Sequence, residues 1–390
     1  MFTRRNFIRI SGLSAVPALT DLNDFSSQFL SGTPEQSRLR FSGDGLVYSP
    51  EQFLAKLQEI NKNQPIERDS YGKGGSVDQL TKKFAALTGK EAAILMPSGT
   101  LANQLAISVL SGDNTKAFVQ ETSHVYRDEG DSAQSVFNKR LIPLAPGKAY
   151  FTAEELKKSI GELEEGEVFK SGYGAVSIEN PVRRNNGQFV PIEEIKKIST
   201  FCKEKGYKLH LDGARIYWAS AFSGTSIAEY SSYFDTVYIS LYKYLGAAGG
   251  AILCGSKNVI DKMEHLTKIH GGTIYMNWAN AAMALHHMEG MEERFKRCVT
   301  QANQLFSLLN QLPETKITKI ENGTNISSLQ LSPAINSKKL SGILLEKHNI
   351  NLPLANANGI VNLMINETLL TRSNEEIVKA FKDGLALAKG

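Results

Sequence analysis

The 390-residue sequence predicts an α/β protein: a large domain with a mostly parallel sheet covered by helices, and a smaller α+β domain at the carboxyl end. Short apolar runs of strand length, at residues 92–96, 117–120, 140–144, 174–178, 208–211 and 237–241, alternate with segments of helical periodicity. Parallel strands buried on both faces read as such runs and need helical crossovers between them. Polar residues able to do chemistry also fall directly after several of these strands. That is where open parallel sheets hold their ligands.

At the start, Thr3-Arg4-Arg5-Asn6-Phe7-Ile8 resembles a twin-arginine export signal, a receptor-read address. A modest apolar stretch over 10–20 follows, with Val16-Pro17-Ala18 as a small-residue cleavage site. This predicts a periplasmic location; the alternative is a basic terminus on a cytoplasmic protein. Residues 1–30 are set apart from the fold on either reading. The large domain is expected over 31–293 and the smaller one over 294–390, with the N-terminal loop packed on the latter.

Residues 40–48 are polar and contain glycine, which predicts a loop. Residues 50–61 have helical spacing, with Phe53, Leu54, Leu57 and Ile60 on one face. A second loop, DSYGKGG at 69–75, leads to an amphipathic helix over 76–88 with Ser76 as its N-cap. The strand at 92–96 runs into Pro97-Ser98-Gly99-Thr100 and a helix over 101–110. A strand, a Ser-Gly-Thr turn and a helix N-terminus present backbone N–H groups and hydroxyls to an anion such as phosphate; a plain helix cap is the alternative. His124 follows the strand at 117–120, and Glu179-Asn180-Pro181 follows the strand at 174–178. Residues 192–205 form a helix with Ile195, Ile198 and Phe201 inward. After Gly255 the pattern turns helical over 258–269, 278–288 and 292–312, with later strands at 327–331 and 360–365. Ser373 and Glu376 form a capping box that opens the last helix.

Composition narrows the function. Hydrophobic content of 42% and charged content of 22% are ordinary for a globular protein. A dispersed net charge of +4 argues against nucleic acid. Cys202, Cys254 and Cys298 lie too far apart for a disulfide framework or a zinc cluster. No apolar run reaches the ~18 residues of a membrane span. The histidines do not fall among carboxylates at ligand spacing, so no metal is expected.

The strand at 208–211 ends in Asp212, and the strand at 237–241 is followed by Lys243 and a glycine-rich turn. Taken singly, such an aspartate caps and such a lysine is solvated. Together they meet the needs of pyridoxal 5'-phosphate: a lysine for its Schiff base, and a carboxylate that keeps the pyridine nitrogen protonated so that the ring accepts electrons. An amino acid is then the small-molecule partner.

PSGTLANQ (97–104), the His124 segment, IEN (178–180), HLDGAR (210–215) and SLYKYLGAAGG (240–250) occur in that order. They resemble the threonine aldolases of the β-eliminating lyase group, which have the aspartate-aminotransferase-like fold, type I among pyridoxal-phosphate enzymes. The resemblance covers residues 40 to 385, roughly; HLDGAR followed some thirty residues later by the lysine is its specific part. It implies that Lys243 carries the cofactor, Asp212 bonds the ring nitrogen, and Ser98, Gly99 and Thr100 hold the phosphate with Ser240. His124 would stack on the ring, Arg215 would lie near the ring oxygen and the substrate carboxylate, and Ser42 would sit near the substrate. Members are dimers or tetramers whose sites a neighbouring subunit completes, and Tyr71 lies in a segment they use there.

The reaction implied is retro-aldol cleavage of a β-hydroxy-α-amino acid of the L-threonine or L-allo-threonine type to glycine and an aldehyde. His124 or a bound water would take the hydroxyl proton. Another lyase or racemase reaction on the same scaffold, or a non-catalytic cofactor-binding protein, are the alternatives. Three departures stand out. Val182 replaces a family histidine, Asn362 replaces an arginine that grips the substrate carboxylate, and HGGTIYMNWA (270–279) lacks another arginine. Arg183 or Arg184 is expected to supply the missing charge; a basic pair in a solvated turn is the alternative.

Overall fold

The structure is a computed structural model that describes residues 38–389. The export-signal segment lies outside the described residues. The chain runs β1 (Leu39–Arg40), α1 (Pro50–Asn63), α2 (Gly75–Thr88), β2 (Ala92–Met96), α3 (Gly99–Ser111), β3 (Lys116–Gln120), α4 (His124–Arg127), α5 (Ser132–Phe137), β4 (Arg140–Leu144), α6 (Ala153–Gly166) and β5 (Tyr173–Glu179). It continues through α7 (Ile192–Lys205), β6 (Lys208–Asp212), α8 (Ile216–Ser223), α9 (Ile227–Ser232), β7 (Thr236–Ser240), β8 (Ala251–Gly255), α10 (Lys257–Ile269), α11 (Trp278–Met288) and α12 (Met291–Leu309). The last elements are β9 (Thr315–Lys319), β10 (Ile326–Leu331), α13 (Ser337–His348), β11 (Ile350–Asn351), β12 (Ile360–Met364) and α14 (Asn374–Leu387).

Seven strands form the central sheet in the order β2–β8–β7–β6–β5–β3–β4. All neighbours are parallel except β8, which is antiparallel to β2 and β7. The carboxyl ends of β3, β5, β6 and β7 therefore share one edge. Register aligns them further: Glu179 lies opposite Asp212, and Asp212 opposite Tyr238. The strands are short and apolar because helices cover both faces. Every residue of β3, β7 and β8 is buried.

Most expected elements appear within a residue or two of their expected ends. Ser76 is a correction. Helix α2 starts at Gly75 with Gly74 as its N-cap, and the Ser76 hydroxyl donates to the Glu67 carbonyl instead. Leu54 does not join the inward face of α1, being 61% exposed, whereas Leu57 is buried. Strand β9 and helix α13 escaped the sequence pattern for physical reasons. In β9 only Thr315 and Ile317 are buried, and in α13 only Leu340 and Leu344, so neither shows a full apolar face. A three-stranded sheet, β12–β10–β9, completes the carboxyl-terminal region, and β1 pairs in parallel with β11.

Residues from Leu39 onward make one compact unit with two main hydrophobic cores. Helix α12 serves both. Met291, Phe295 and Cys298 enter the first core; Ala302, Leu305, Phe306 and Leu309 enter the second, where Leu39 and Phe41 join them. The split at 293/294 stays a proposal, supported by these two cores. In the first core the Phe295 ring lies 4.2 Å from that of Trp218 and edge-on to Tyr244. Phe295→Ala is expected to cost about 3–5 kcal/mol, read as a lowered urea midpoint.

Candidate active site

The shared strand edge opens into a cavity of about 260 Å³. Its wall includes Ser98, Gly99, Thr100, His124, Glu129, Glu179, Asp212, Arg215, Tyr238 and Lys243. The structure thus brings seven of the residues named from sequence into one space.

Asp212 ends β6 and is 2% exposed. Its Oδ1 accepts from the Ala214 N–H at 3.1 Å, and its Oδ2 accepts from the Asn103 amide at 2.9 Å. The same Asn103 nitrogen donates to Glu129 Oε1 at 2.8 Å. Glu129 Oε1 also meets His124 Nδ1 at 2.9 Å. That bond to a carboxylate raises the imidazole of His124 above its ordinary value. Burial pushes the Glu129 carboxyl up. Glu179 is pushed up to about 7 by burial, with nearby Asp212 adding to the rise. Its two oxygens accept from the backbone N–H groups of His124 and Arg183, at 2.6 and 3.0 Å. The sequence named Glu179 only as part of a motif, and it missed Glu129 and Asn103.

Lys243 follows β7 and is 7% exposed. Burial, helped by the Arg215 charge, brings its amine down to about 8. Arg215 forks onto Asp44 with bonds of 2.6 and 2.9 Å, and the Tyr244 hydroxyl donates to the same carboxylate at 3.0 Å. Asp44 comes from the N-terminal loop, two residues past Ser42. Asn366 holds that loop by donating to the carbonyls of Arg40, Ser42 and Gly43.

The turn before α3 fits an anion. Ser98 is the N-cap of α3, its hydroxyl accepting from the Leu101 N–H at 3.2 Å, so the capping alternative holds for it while it also lines the cavity. Gly99 leaves no room for a side chain: a Cβ there would sit 2.0 Å from the Tyr238 hydroxyl. Ser240 is buried at the end of β7 and is not part of the cavity wall.

Several expected residues lie elsewhere. Ser42 is not in the wall. Arg183 and Arg184 lie apart from the cavity as well. Both pair with Asp128, Arg183 at 3.0 Å and Arg184 through Nε at 2.9 Å, outside the cavity. Both side chains are engaged at that carboxylate, whereas Arg215, itself forked onto Asp44, lies in the cavity wall. Val182 is buried and pairs with Gln188. Asn362 is exposed on β12, opposite Ser328. Tyr71, 57% exposed, packs its ring on Tyr275 at 5.1 Å, away from the cavity wall. The fold also brings together what the sequence kept apart: ligand atoms of His124, Glu129 and Asp212 lie within 4.8 Å of one another. The histidine therefore does sit among carboxylates. The Asn103 amide donates into both carboxylates.

The model of the family described as Beta-eliminating lyase matches residues 55–332. The chain belongs to this family. Among its relatives, the low-specificity L-threonine aldolase of Candida albicans is 35% identical over 213 residues, which is 54% of this chain and 56% of that one. The low specificity L-threonine aldolase of Saccharomyces cerevisiae is 32% identical over 233 residues, 59% of each chain. The matched part is thus little more than half the length of these curated relatives. The solved threonine aldolase of Leishmania major superposes with a TM-score of 0.68 at 17% identity, covering 90% of this chain and 99% of that one. That likeness is one of fold. The expected α/β architecture of the family, with its mostly parallel sheet, is present.

Proposed function

We propose that the chain is a pyridoxal-5'-phosphate-dependent carbon–carbon lyase. Its substrate would be a β-hydroxy-α-amino acid of the L-threonine or L-allo-threonine type, cleaved to glycine and an aldehyde. The observation that carries this reading is the meeting of Lys243 and Asp212 in one cavity of about 260 Å³, in a chain of this family. The donor set fits the cofactor. A buried amine, a buried carboxylate and the N-terminus of α3 in the cavity wall match its aldehyde, its ring nitrogen and its phosphate. When bound, the cofactor supplies an electron sink for the bond broken at the substrate's α-carbon.

The chain's own residues supply the rest. An amine brought down to about 8 keeps a larger neutral, nucleophilic fraction at neutral pH than an ordinary lysine. Asp212 is held for the ring nitrogen by Asn103 and the Ala214 N–H. Ser98, Gly99 and Thr100 are assigned to the phosphate, with Ser240 behind them. Arg215, steadied by Asp44, is assigned to the substrate carboxylate. With Nδ1 turned to Glu129, His124 has Nε2 left to take the proton of the β-hydroxyl.

Another lyase or racemase reaction on the same scaffold is the alternative, because Val182 and Asn362 replace two groups of the resemblance. The deciding assay is aldehyde release from L-threonine, L-allo-threonine and L-phenylserine by the cofactor-loaded protein, with Lys243→Ala as control. Aldehyde plus glycine, lost in the control, is expected. Exchange of the α-proton without aldehyde would mean racemase-type chemistry instead.

Two further expectations follow from the arginines. Arg183→Ala and Arg184→Ala should each leave apparent substrate affinity within about fivefold, because exposed ion pairs are worth about 0–1 kcal/mol. Arg215→Lys should raise KM about tenfold or more. A lysine cannot reproduce the fork, and bonds between charged groups are worth about 1.5–3 kcal/mol.

The reading includes a homodimer or homotetramer. Exposed Tyr71, Ile274 and Tyr275 support it, and sedimentation velocity tests it. No helix among the described residues is long and apolar enough to cross a membrane. Periplasmic export rests on the Arg4-Arg5 signal with the apolar stretch and the small-residue site after it, and retention of the Arg4→Lys/Arg5→Lys protein in the cytoplasm is its test.

A further inference from the structure

We propose that Asn103 is a positioning residue: its side-chain amide ties Asp212 and Glu129 together and, through Glu129, sets the protonation and ring orientation of His124. The inference rests on the cofactor reading only for what Asp212 and His124 go on to do. The tie itself is a property of the apolar interior at the strand edge.

Six side chains, two of them on β6, form one continuous run of hydrogen bonds. Thr236 Oγ1 meets His210 Nδ1 at 2.8 Å, and His210 Nε2 meets Asn103 Oδ1 at 2.9 Å. Asn103 Nδ2 then serves Asp212 at 2.9 Å and Glu129 at 2.8 Å, and Glu129 serves His124 at 2.9 Å. His210 and Thr236 face each other across β6 and β7, and His210 is two residues before Asp212 on the same face of β6. All but His124 are buried.

Only one assignment of hydrogens satisfies this run. Two carboxylates can accept from Asn103 but give it nothing, so both amide hydrogens point at them and Oδ1 points at His210. His210 must then donate from Nε2 and accept at Nδ1 from the Thr236 hydroxyl. Such a histidine has to be neutral, and burial brings His210 down to about 4. The Asn103 orientation is thereby fixed from behind by groups that never reach the cavity.

The front of the run depends on that fixed amide. Glu129 has one oxygen, Oε1, shared by Asn103 and His124; its other oxygen is buried without a partner among the described residues. A buried carboxylate so thinly supported stays ionised only while both donors hold it. Without Asn103, Glu129 takes up a proton and His124 loses its anionic partner. The other charged groups around His124 do not compensate. Glu179 is committed to two backbone N–H groups. Asp212 loses the same amide, and Lys243 and Arg215 are cations in the same wall. The adjacent Arg127 is turned to Glu121.

The test follows the His124 ring by NMR in the full-length, cofactor-loaded chain with ¹³C-labelled histidine, using His124→Gln to assign its signal among the seven histidines. In the unmodified protein the midpoint should lie above the ordinary imidazole value of about 6.5. Glu129→Gln keeps the shape and removes the charge, and should lower the midpoint by about one pH unit or more. Asn103→Ala should lower it similarly, and the double variant should fall no further than the larger single effect, since the two act in series.

A second measurement needs no variant. The Asn103 side-chain amide protons in the unmodified protein should shift with the same midpoint as His124. An unmoved His124 midpoint in Asn103→Ala, fully additive effects, or amide protons indifferent to the His124 titration would each overturn the inference. If the chain takes up no pyridoxal phosphate, the same titration on the unloaded chain still reads the tie, so this inference and the proposed function fail separately.

Discussion

Lys243→Ala is expected to lower aldehyde release by about 10³-fold or more, because it removes the nucleophile that anchors the cofactor. A second effect has the opposite sign. The amine is held at about 8 in the folded chain against an ordinary value of 10.5, mainly by burial. A group whose charged form is disfavoured by folding costs stability wherever it must be charged, here at pH values below about 8. The cost fades as pH rises from 8 towards 10.5, where the unfolded chain also loses the proton. The uncharged Lys243→Met chain should therefore be more stable than the unmodified, cofactor-free chain at pH 7, by about 2 kcal/mol or more. The gain should shrink above pH 8 and vanish near pH 10.5. Inactive and stabilised is the signature of a residue strained for function. Urea midpoints of the two chains at pH 7 and pH 10 check it. Equal stability at both would mean that Lys243 reaches water and is not tuned. The same tuning predicts that uptake of the cofactor accelerates with pH, half-maximal near pH 8.

What the sequence revealed and what it hid follow from one physical distinction. Asp212 and Lys243 were legible because each lies just past a short apolar run, and a strand end in a parallel sheet is a site by construction. The Ser98-Gly99-Thr100 turn was legible for the same reason at the start of α3. Asn103 stood in the quoted PSGTLANQ segment, yet one turn into a helix it resembles any polar residue. Its task comes from α3 crossing behind β6, which no local pattern records. Glu129 follows His124 by five residues, and a charged residue in a short loop gives no sign that it will be buried. The register of β5, β6 and β7 decides that Glu179, Asp212 and Tyr238 stand side by side. Register depends on pairing across long stretches of chain, so only the folded sheet shows it. The placement of Arg183 and Arg184 outside the cavity wall has the same root. Both follow a strand end, but Asp128, from the loop after α4, meets them first. Asp44 was equally hidden, lying in a loop held in place by Asn366 from the far end of the chain.

Asp212→Asn should be nearly as damaging as loss of the lysine, and for two separable reasons. Both oxygens of Asp212 accept from N–H donors, one from Ala214 and one from Asn103. An asparagine there must turn its own N–H₂ against one of those donors, leaving a buried polar pair unsatisfied at about 1–3 kcal/mol. The substitution also removes the anion that would pair with the protonated ring nitrogen, and breaking a buried pair costs about 3–5 kcal/mol. Retention of the cofactor and turnover should each fall by about 10²-fold or more. Asp212→Glu separates the two causes. It keeps the charge but adds a methylene at a position 2% exposed, an overpacking of about 1–3 kcal/mol. If charge matters most, the glutamate chain keeps measurable aldehyde release and the asparagine chain does not. If fit matters most, both fail alike. Aldehyde release by Asp212→Asn within fivefold of the unmodified protein would remove the ring-nitrogen role altogether, and with it the electron sink on which the proposed cleavage depends.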